Sequence, residues 1–421
     1  MFPSNTPRYR YHVLGISLLT FGLATSALAQ QAHTANLDPL VDIPSCFESL
    51  TPDTLESTFA APGSLEKFKW LTSDRTRALF QKQPYSNHTI NLSLFGGTVP
   101  IEEAVVDFTA DGKYLGATIS IYNRGDGGSI TAEDFDARFK KTGSQLGERL
   151  SVRPFSRKAN PRQGLLTEGY TWVSSSGMAV LEQNPEVKDG TIEFLRMRVM
   201  RRDAKGPLAA AMNSRSGASV KLSELARNVE KLDDGSVVIT QVPMVDQGAK
   251  GYCVVASAQR IFEYYGIPCD MHQLAQIAGS DAASGTSNLA MVRGLEKIVH
   301  RFKTRFKIYC MTAGSGRLHE IERELTVGDV FEERDFGKEV RRSIDAGVPL
   351  LWSLELGQFP EEGRTPQVGG GHMRLIIGYN DKTGNLLFSD SWGAGHERKQ
   401  INEAHAYRAT RGLYALLPTT R

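Results

Sequence analysis

A thiol, an imidazole, a carboxylate and a side-chain amide recur in this sequence in an order that could do acyl chemistry. The stretch VPMVDQGAKGYCVVASAQRIFEYYG (242–266) is a glycine-punctuated loop ending at Cys253. An amphipathic helical pattern starts there, with Val255, Ala258, Phe262 and Tyr265 on one face. A cysteine at a helix N-terminus feels the positive end of the helix dipole, which favours the nucleophilic thiolate. A buried, inert cysteine fits that segment equally well. Gln247 lies six residues earlier (253 − 247). Its amide could donate to an oxyanion together with the backbone N–H of Cys253. Far downstream, GGGHMRLIIGYN (369–380) sets His372 at the start of an apolar strand, and eighteen residues on (390 − 372) FSDSWG (388–393) sets Asp390 at the end of the next. NDKTGN (380–385) between them suits a hairpin loop. Antiparallel neighbours of that kind would bring His372 and Asp390 side by side, the carboxylate fixing the imidazole tautomer while the other nitrogen faces the thiol. Gly370 and Gly371 would let a substrate backbone come close. Trp392 would cover the His372–Asp390 contact, a role that a packed core tryptophan also satisfies.

The elements that must position these groups form two blocks. Residues 51–202 mix strand-like runs, IEEAVVDF (101–108), YLGATISIYN (114–123), EGYTWVSS (168–175) and TIEFLRMRVMRR (191–202), with one long helical pattern opened by Thr131. Asp111-Gly112 is a hairpin signal between the first two runs. Gly143 and Gly147 weaken the second half of the helix. Residues 30–50 read as a loose lead-in, and 203–235 as a linker with a short helix. In 236–421 helical patterns come first, at 253–265, 270–278, 287–302 and 336–346. Strand-like runs follow at 348–356, 372–379, 385–390 and 411–417. Helices followed by a sheet are an α+β order rather than the alternation of a doubly wound fold.

Gln247 and Cys253 ahead of a helix, His372 opening a strand, and Asp390-Ser391-Trp392-Gly393 together resemble the papain-like cysteine peptidases. The resemblance implies a papain-like catalytic domain, a helical part plus an antiparallel sheet, over about 236–421. It also implies roles: Gln247 builds the oxyanion hole, Cys253 attacks, His372 is acid and base, and Asp390 orients the histidine. The chain is most similar to the bacteriocin-processing (double-glycine) branch and its secreted relatives. Those orient the histidine with aspartate and enter a helix through Gly-Thr, like Gly285-Thr286 here. It departs from papain, which has Cys-Gly-Ser-Cys-Trp where this chain has Gly251-Tyr252-Cys253-Val254-Val255, and asparagine in place of Asp390. No transporter or helical propeptide is recognisable, so neither double-glycine specificity nor the usual zymogen carries over. The implied partner is a peptide or protein substrate. An amidase or acyl transferase would use the same residues, and a catalytically inert binding module is the reading from another class.

Composition excludes other classes. The 421 residues suggest two or three domains, and Lys+Arg 49 against Asp+Glu 47, a net charge of +2, argues against a nucleic-acid or anionic-membrane coat. Hydrophobic content of 40% excludes global disorder. Four cysteines without a CxxC pair exclude a disulfide scaffold or zinc ribbon. His396-Glu397 lacks a second histidine at metalloprotease spacing, so no metal and no cofactor is expected. The apolar run 13–24 and Ala27-Leu28-Ala29 have the layout of a signal peptide (1–29), cleaved near Ala29. No later stretch suits a transmembrane anchor, and the mature chain is expected to be exported. Export permits a disulfide, Cys269–Cys310 being one pairing among Cys46, Cys269 and Cys310. Arg124-Gly125-Asp126 reads as a chance turn. Arg196, Arg198, Arg201 and Arg202 read as a solvated strand face. The block 51–202 could be an intramolecular pro-domain or a targeting module.

Overall fold

The computed structural model of the chain describes residues 33–59, 67–82, 90–160, 166–204, 209, 217–248, 251–278, 288–311, 332–359, 361 and 370–420. The signal-peptide reading and Gly285-Thr286 lie outside the described residues. Mixed helices and antiparallel sheets make the chain α+β, as its pattern predicts. Among the described residues no helix is long and apolar enough to cross a membrane.

The N-terminal part is built on an eight-stranded antiparallel sheet. Its strands run in the order β2 (Lys69–Trp70), β3 (Arg77–Gln81), β6 (Glu103–Phe108), β7 (Tyr114–Asn123), β11 (Phe194–Met200), β10 (Met178–Gln183), β9 (Glu168–Val173), β8 (Phe155–Arg157). The Asp111-Gly112 turn joins β6 to β7, with Gly112 at φ +76°, a conformation that favours glycine. Three further strands, β1 (His33–Asn36), β4 (Ile90–Leu94) and β5 (Val99–Ile101), form a small sheet beside it. The helix Ala132–Leu150 starts where Thr131 caps the N–H of Asp134. It runs through Gly143 and Gly147 without a break, because packing on β9 and β10 outweighs the local cost of two glycines. Residues 33–50 are no loose lead-in: Leu37, Leu40 and Val41 are completely buried in the N-terminal core.

A second core lies between Ala218 and Leu416. Helix α5 (Cys253–Tyr264; α1 to α4 being Ser45–Ser49, Pro52–Phe59, Arg124–Gly127 and Ala132–Leu150) packs against β16 (Gly370–Asn380). Eleven of the twelve α5 residues are buried, the half-buried exception being Cys253 at its start. Helix α6 (Met271–Ala278) lies against α5. Strand β16 is central in an antiparallel sheet, with β13 (Ser236–Ile239) and β15 (Leu350–Leu356) on its flanks, and β17 (Asn385–Ser389) hairpinned onto its far half. The hairpin at 380–385 and the antiparallel pairing of His372's strand with Asp390's are those the sequence predicts.

The two parts meet face to face, and there the arginine cluster departs from expectation. Arg196 and Arg198 are buried, not solvated. Both pair with Glu182 on the neighbouring strand, and Arg196 also pairs with Asp270 at the entry to α6. Strand alternation puts 196 and 198 on one face, and that face is covered by the second part of the chain. Arg77 similarly reaches Glu263 of α5 at 2.7 Å. His272 of α6 sits between Glu103 (3.5 Å) and Asp126 (3.2 Å), so the Arg124-Gly125-Asp126 turn is part of this contact.

Candidate active site

Strand β16 carries His372 at its open end and α5 points its N-terminus at the same place. The Nε2 atom of His372 is 2.7 Å from Oδ1 of Asp390, and the Cys253 thiol is hydrogen-bonded to the same imidazole. With Nε2 occupied by the carboxylate, Nδ1 is the nitrogen that meets the thiol. His372 is 7% exposed and Asp390 is completely buried.

Burial alone would push the Cys253 thiol up, but the hydrogen bond and charge of His372 bring it below the usual thiol value. Burial tends to lower His372, and its bonds to Asp390 and Cys253 raise it above the ordinary imidazole value instead. Burial raises Asp390, yet His372, Arg374 and Lys399 hold it below the usual carboxylate range. The three shifts favour one charge pattern: thiolate, imidazolium, carboxylate.

Several side chains that the sequence reading passed over hold this pattern in place. Arg374, two residues beyond His372 on the same strand face, donates Nε to Asp390 Oδ1 at 3.1 Å and is paired with Glu361 at 2.6 Å. Lys399 lies 3.8 Å from Asp390 Oδ2. From α5, Arg260 donates to the carbonyls of Pro243 and Asp390 and to Ser389 Oγ, tying the helix that starts with Cys253 to the loop before Gln247 and to the Asp390 segment. The i+2 spacing from His372 is the one sequence signal that could have found Arg374. Arg260 is hidden in an amphipathic pattern that treats it as a surface residue.

Gln247 is fixed at both ends. Its backbone N–H donates to the carbonyl of Ser391 at 2.9 Å, and its Oε1 accepts from Ser391 Oγ at 2.7 Å. Trp392 stacks on the His372 ring, centroids 4.6 Å apart at 22°. No described atom lies within 4 Å of where a Cβ on Gly370 or Gly371 would stand. All four cysteines are free, which corrects the Cys269–Cys310 pairing: Cys269 is buried just after α5, whereas Cys310 belongs to the strand Thr304–Met311 at the sheet edge. Among the described residues no group of three or more His, Cys, Asp or Glu side chains could hold a metal ion. A cavity of about 940 Å³ lies between the two parts, but it is lined by residues such as Arg77, Asp107 and Glu263 and does not include Cys253 or His372.

No curated protein matches the chain. Among solved structures, xylellain, a cysteine protease from Xylella fastidiosa, is similar at 13% identity over 49% of this chain and 93% of that one, with a TM-score of 0.28. The model of the Peptidase_C39 like family matches residues 239–414, the stretch that holds all four groups, and over that stretch the chain is similar to that family, consistent with the papain-like superfamily its motifs resemble.

Proposed function

We propose that residues 236–421 are a cysteine peptidase domain, exported after cleavage of residues 1–29 near Ala29, that hydrolyses peptide bonds through Cys253, His372 and Asp390. The observation that carries the reading is one imidazole bonded at once to a thiol and to a buried carboxylate. The thiolate of Cys253 attacks the acyl carbon, and the oxyanion is met by the amide of Gln247 and the N–H of Cys253. His372 gives its proton to the departing amine, leaving a thioester on Cys253. The neutral imidazole then takes a proton from water, hydroxide displaces the thiolate, and the acid is released. Asp390 holds the imidazole orientation throughout. Gly370 and Gly371 leave room for a substrate backbone beside His372.

The test uses unfolded casein as a general substrate and mass spectrometry for the intermediate. Wild-type protein cleaves it and carries an acyl adduct on Cys253 when quenched in acid, and Cys253→Ala loses both. Cleavage that survives Cys253→Ala overturns the reading. A folded protein that neither cleaves nor acylates leaves a binding module as the explanation. Adducts without cleavage favour an acyl transferase.

A further inference from the structure

The segment from Asp246 to Cys253 carries both the amide and the thiol of the proposed site, and three residues of the N-terminal part touch it. At its start, Lys69 of β2 pairs with Asp246 at 2.6 Å. Just after Gln247, the Gln81 side chain of β3 lies 3.2 Å from where a Cβ on Gly248 would stand. Just before Cys253, the hydroxyl of Tyr252 is pressed so close to Gly125 that a Cβ there would stand 2.3 Å from it. Leu71 and Leu79 complete the contact by packing with Met244.

Asp246 is the hinge of this arrangement. Its Oδ1 accepts the N–H of Gly248 at 2.6 Å, closing a turn around Gln247 in which Gly248 has φ +65°. Its Oδ2 receives Lys69, and its backbone bridges Trp392. Gly393 comes so near that a Cβ on it would stand 2.8 Å from Oδ2. The carboxylate is 6% exposed, so taking away the ammonium beside it would leave a buried, uncompensated group. A donor stabilises an oxyanion only if it is already aimed when the charge appears, and the turn is what aims Gln247.

We propose that Lys69 is a positioning residue of the active site: through Asp246 it holds the turn that presents Gln247 beside Cys253. The N-terminal sheet is then a working part of the catalytic apparatus rather than a segment to be removed. The proposal rests on the cysteine-hydrolase reading.

Two reactions of the same sulfur separate aim from reactivity. With iodoacetamide the Cys253 thiolate displaces iodide and no oxyanion forms. With 4-nitrophenyl acetate the acetyl group passes to sulfur through a tetrahedral oxyanion, and 4-nitrophenolate leaves. In the full chain, Lys69→Met slows acetylation about ten- to hundredfold, while alkylation at pH 6 stays within about twofold. Lys69→Arg retains acetylation to within about threefold, since a cation again meets Asp246. The double variant Lys69→Met/Asp246→Asn recovers most of the loss, because an asparagine oxygen still accepts from Gly248 and leaves no buried charge. Acetylation of Lys69→Met at the wild-type rate overturns the proposal. So does an equal fall in both reactions, which marks general loss of structure. Wild-type protein that shows neither acetylation nor alkylation at pH 6 overturns the hydrolase reading first, and this proposal with it.

Discussion

Helix α5 has a cysteine at its start and another just beyond its end, and the protein treats them in opposite ways. Cys253 is half-buried, and His372 brings its thiol below the usual value. Cys269 is fully buried, and burial together with Glu263 pushes its thiol well above that value. Cations do not make the difference, because Arg196 and Arg198 also lie near Cys269. Both are already committed to Glu182, and Arg196 to Asp270 as well. What Cys253 has is a hydrogen-bond partner whose own proton is held by a buried carboxylate. Thiolate chemistry thus depends on a cation hydrogen-bonded to the sulfur itself, not on positive charge in the neighbourhood.

The comparison is broken most directly at His372. His372→Ala removes the side chain whose hydrogen bond and charge lower the Cys253 thiol. Burial is then opposed only by backbone hydrogen bonds from Met373 and Val254, and Cys253 moves toward the behaviour of Cys269. Alkylation of Cys253 at pH 6, read by mass spectrometry, is expected to fall about a hundred- to a thousandfold. Cys46 and Cys310, whose thiols burial pushes up to about 12 and about 11, stay unlabelled in both proteins. Equal alkylation of the variant and the wild type would mean that the helix N-terminus alone activates the sulfur.

Much of this contrast is legible in the sequence, and the part that is not has a physical cause. The order Gln247, Cys253, His372, Asp390 survives as a pattern because each group sits at the end of a regular element with recognisable punctuation. The hairpin at 380–385 follows from turn chemistry, and α5 from its period. Arg260 and Arg374 were invisible because a buried arginine looks like a surface one until its partners are known. Arg196 and Arg198 were misread for the same reason: alternation says which residues share a face, and only packing says what covers it. Lys69 is the extreme case. It lies on a two-residue strand far from Asp246 in sequence, and nothing local marks it.

A smaller effect is expected where the charge pattern is tuned rather than removed. Arg374 helps to hold Asp390 ionised, and part of that carboxylate's charge is thereby spent on the guanidinium instead of on His372. In Arg374→Met the imidazolium is the better served cation and its pKa, already raised, rises further. A peptidase of this kind needs imidazolium as the acid, so the rate falls as pH passes upward through that pKa. The descending limb of casein cleavage is therefore expected to move to higher pH, by about one unit. Pairing the change with Glu361→Gln avoids stranding a carboxylate that Arg374 neutralises at 2.6 Å. A limb that stays in place, or moves to lower pH, would show that Arg374 holds Asp390 without tuning His372.

The smallest effect belongs to the other end of α5. Cys269 is 3% exposed and acts as a small apolar side chain in the core that backs α5. Cys269→Ala removes a sulfur-sized volume and is expected to cost about 1 kcal/mol, a fall of roughly 2–4 °C in Tm. Alkylation of Cys253 at pH 6 should not change, because nothing that lowers its thiol involves Cys269. A variant that melts like the wild type would mean the site collapses without loss. One that slows Cys253 would mean that the two ends of α5 are coupled through the helix, and that the contrast between them is not purely local.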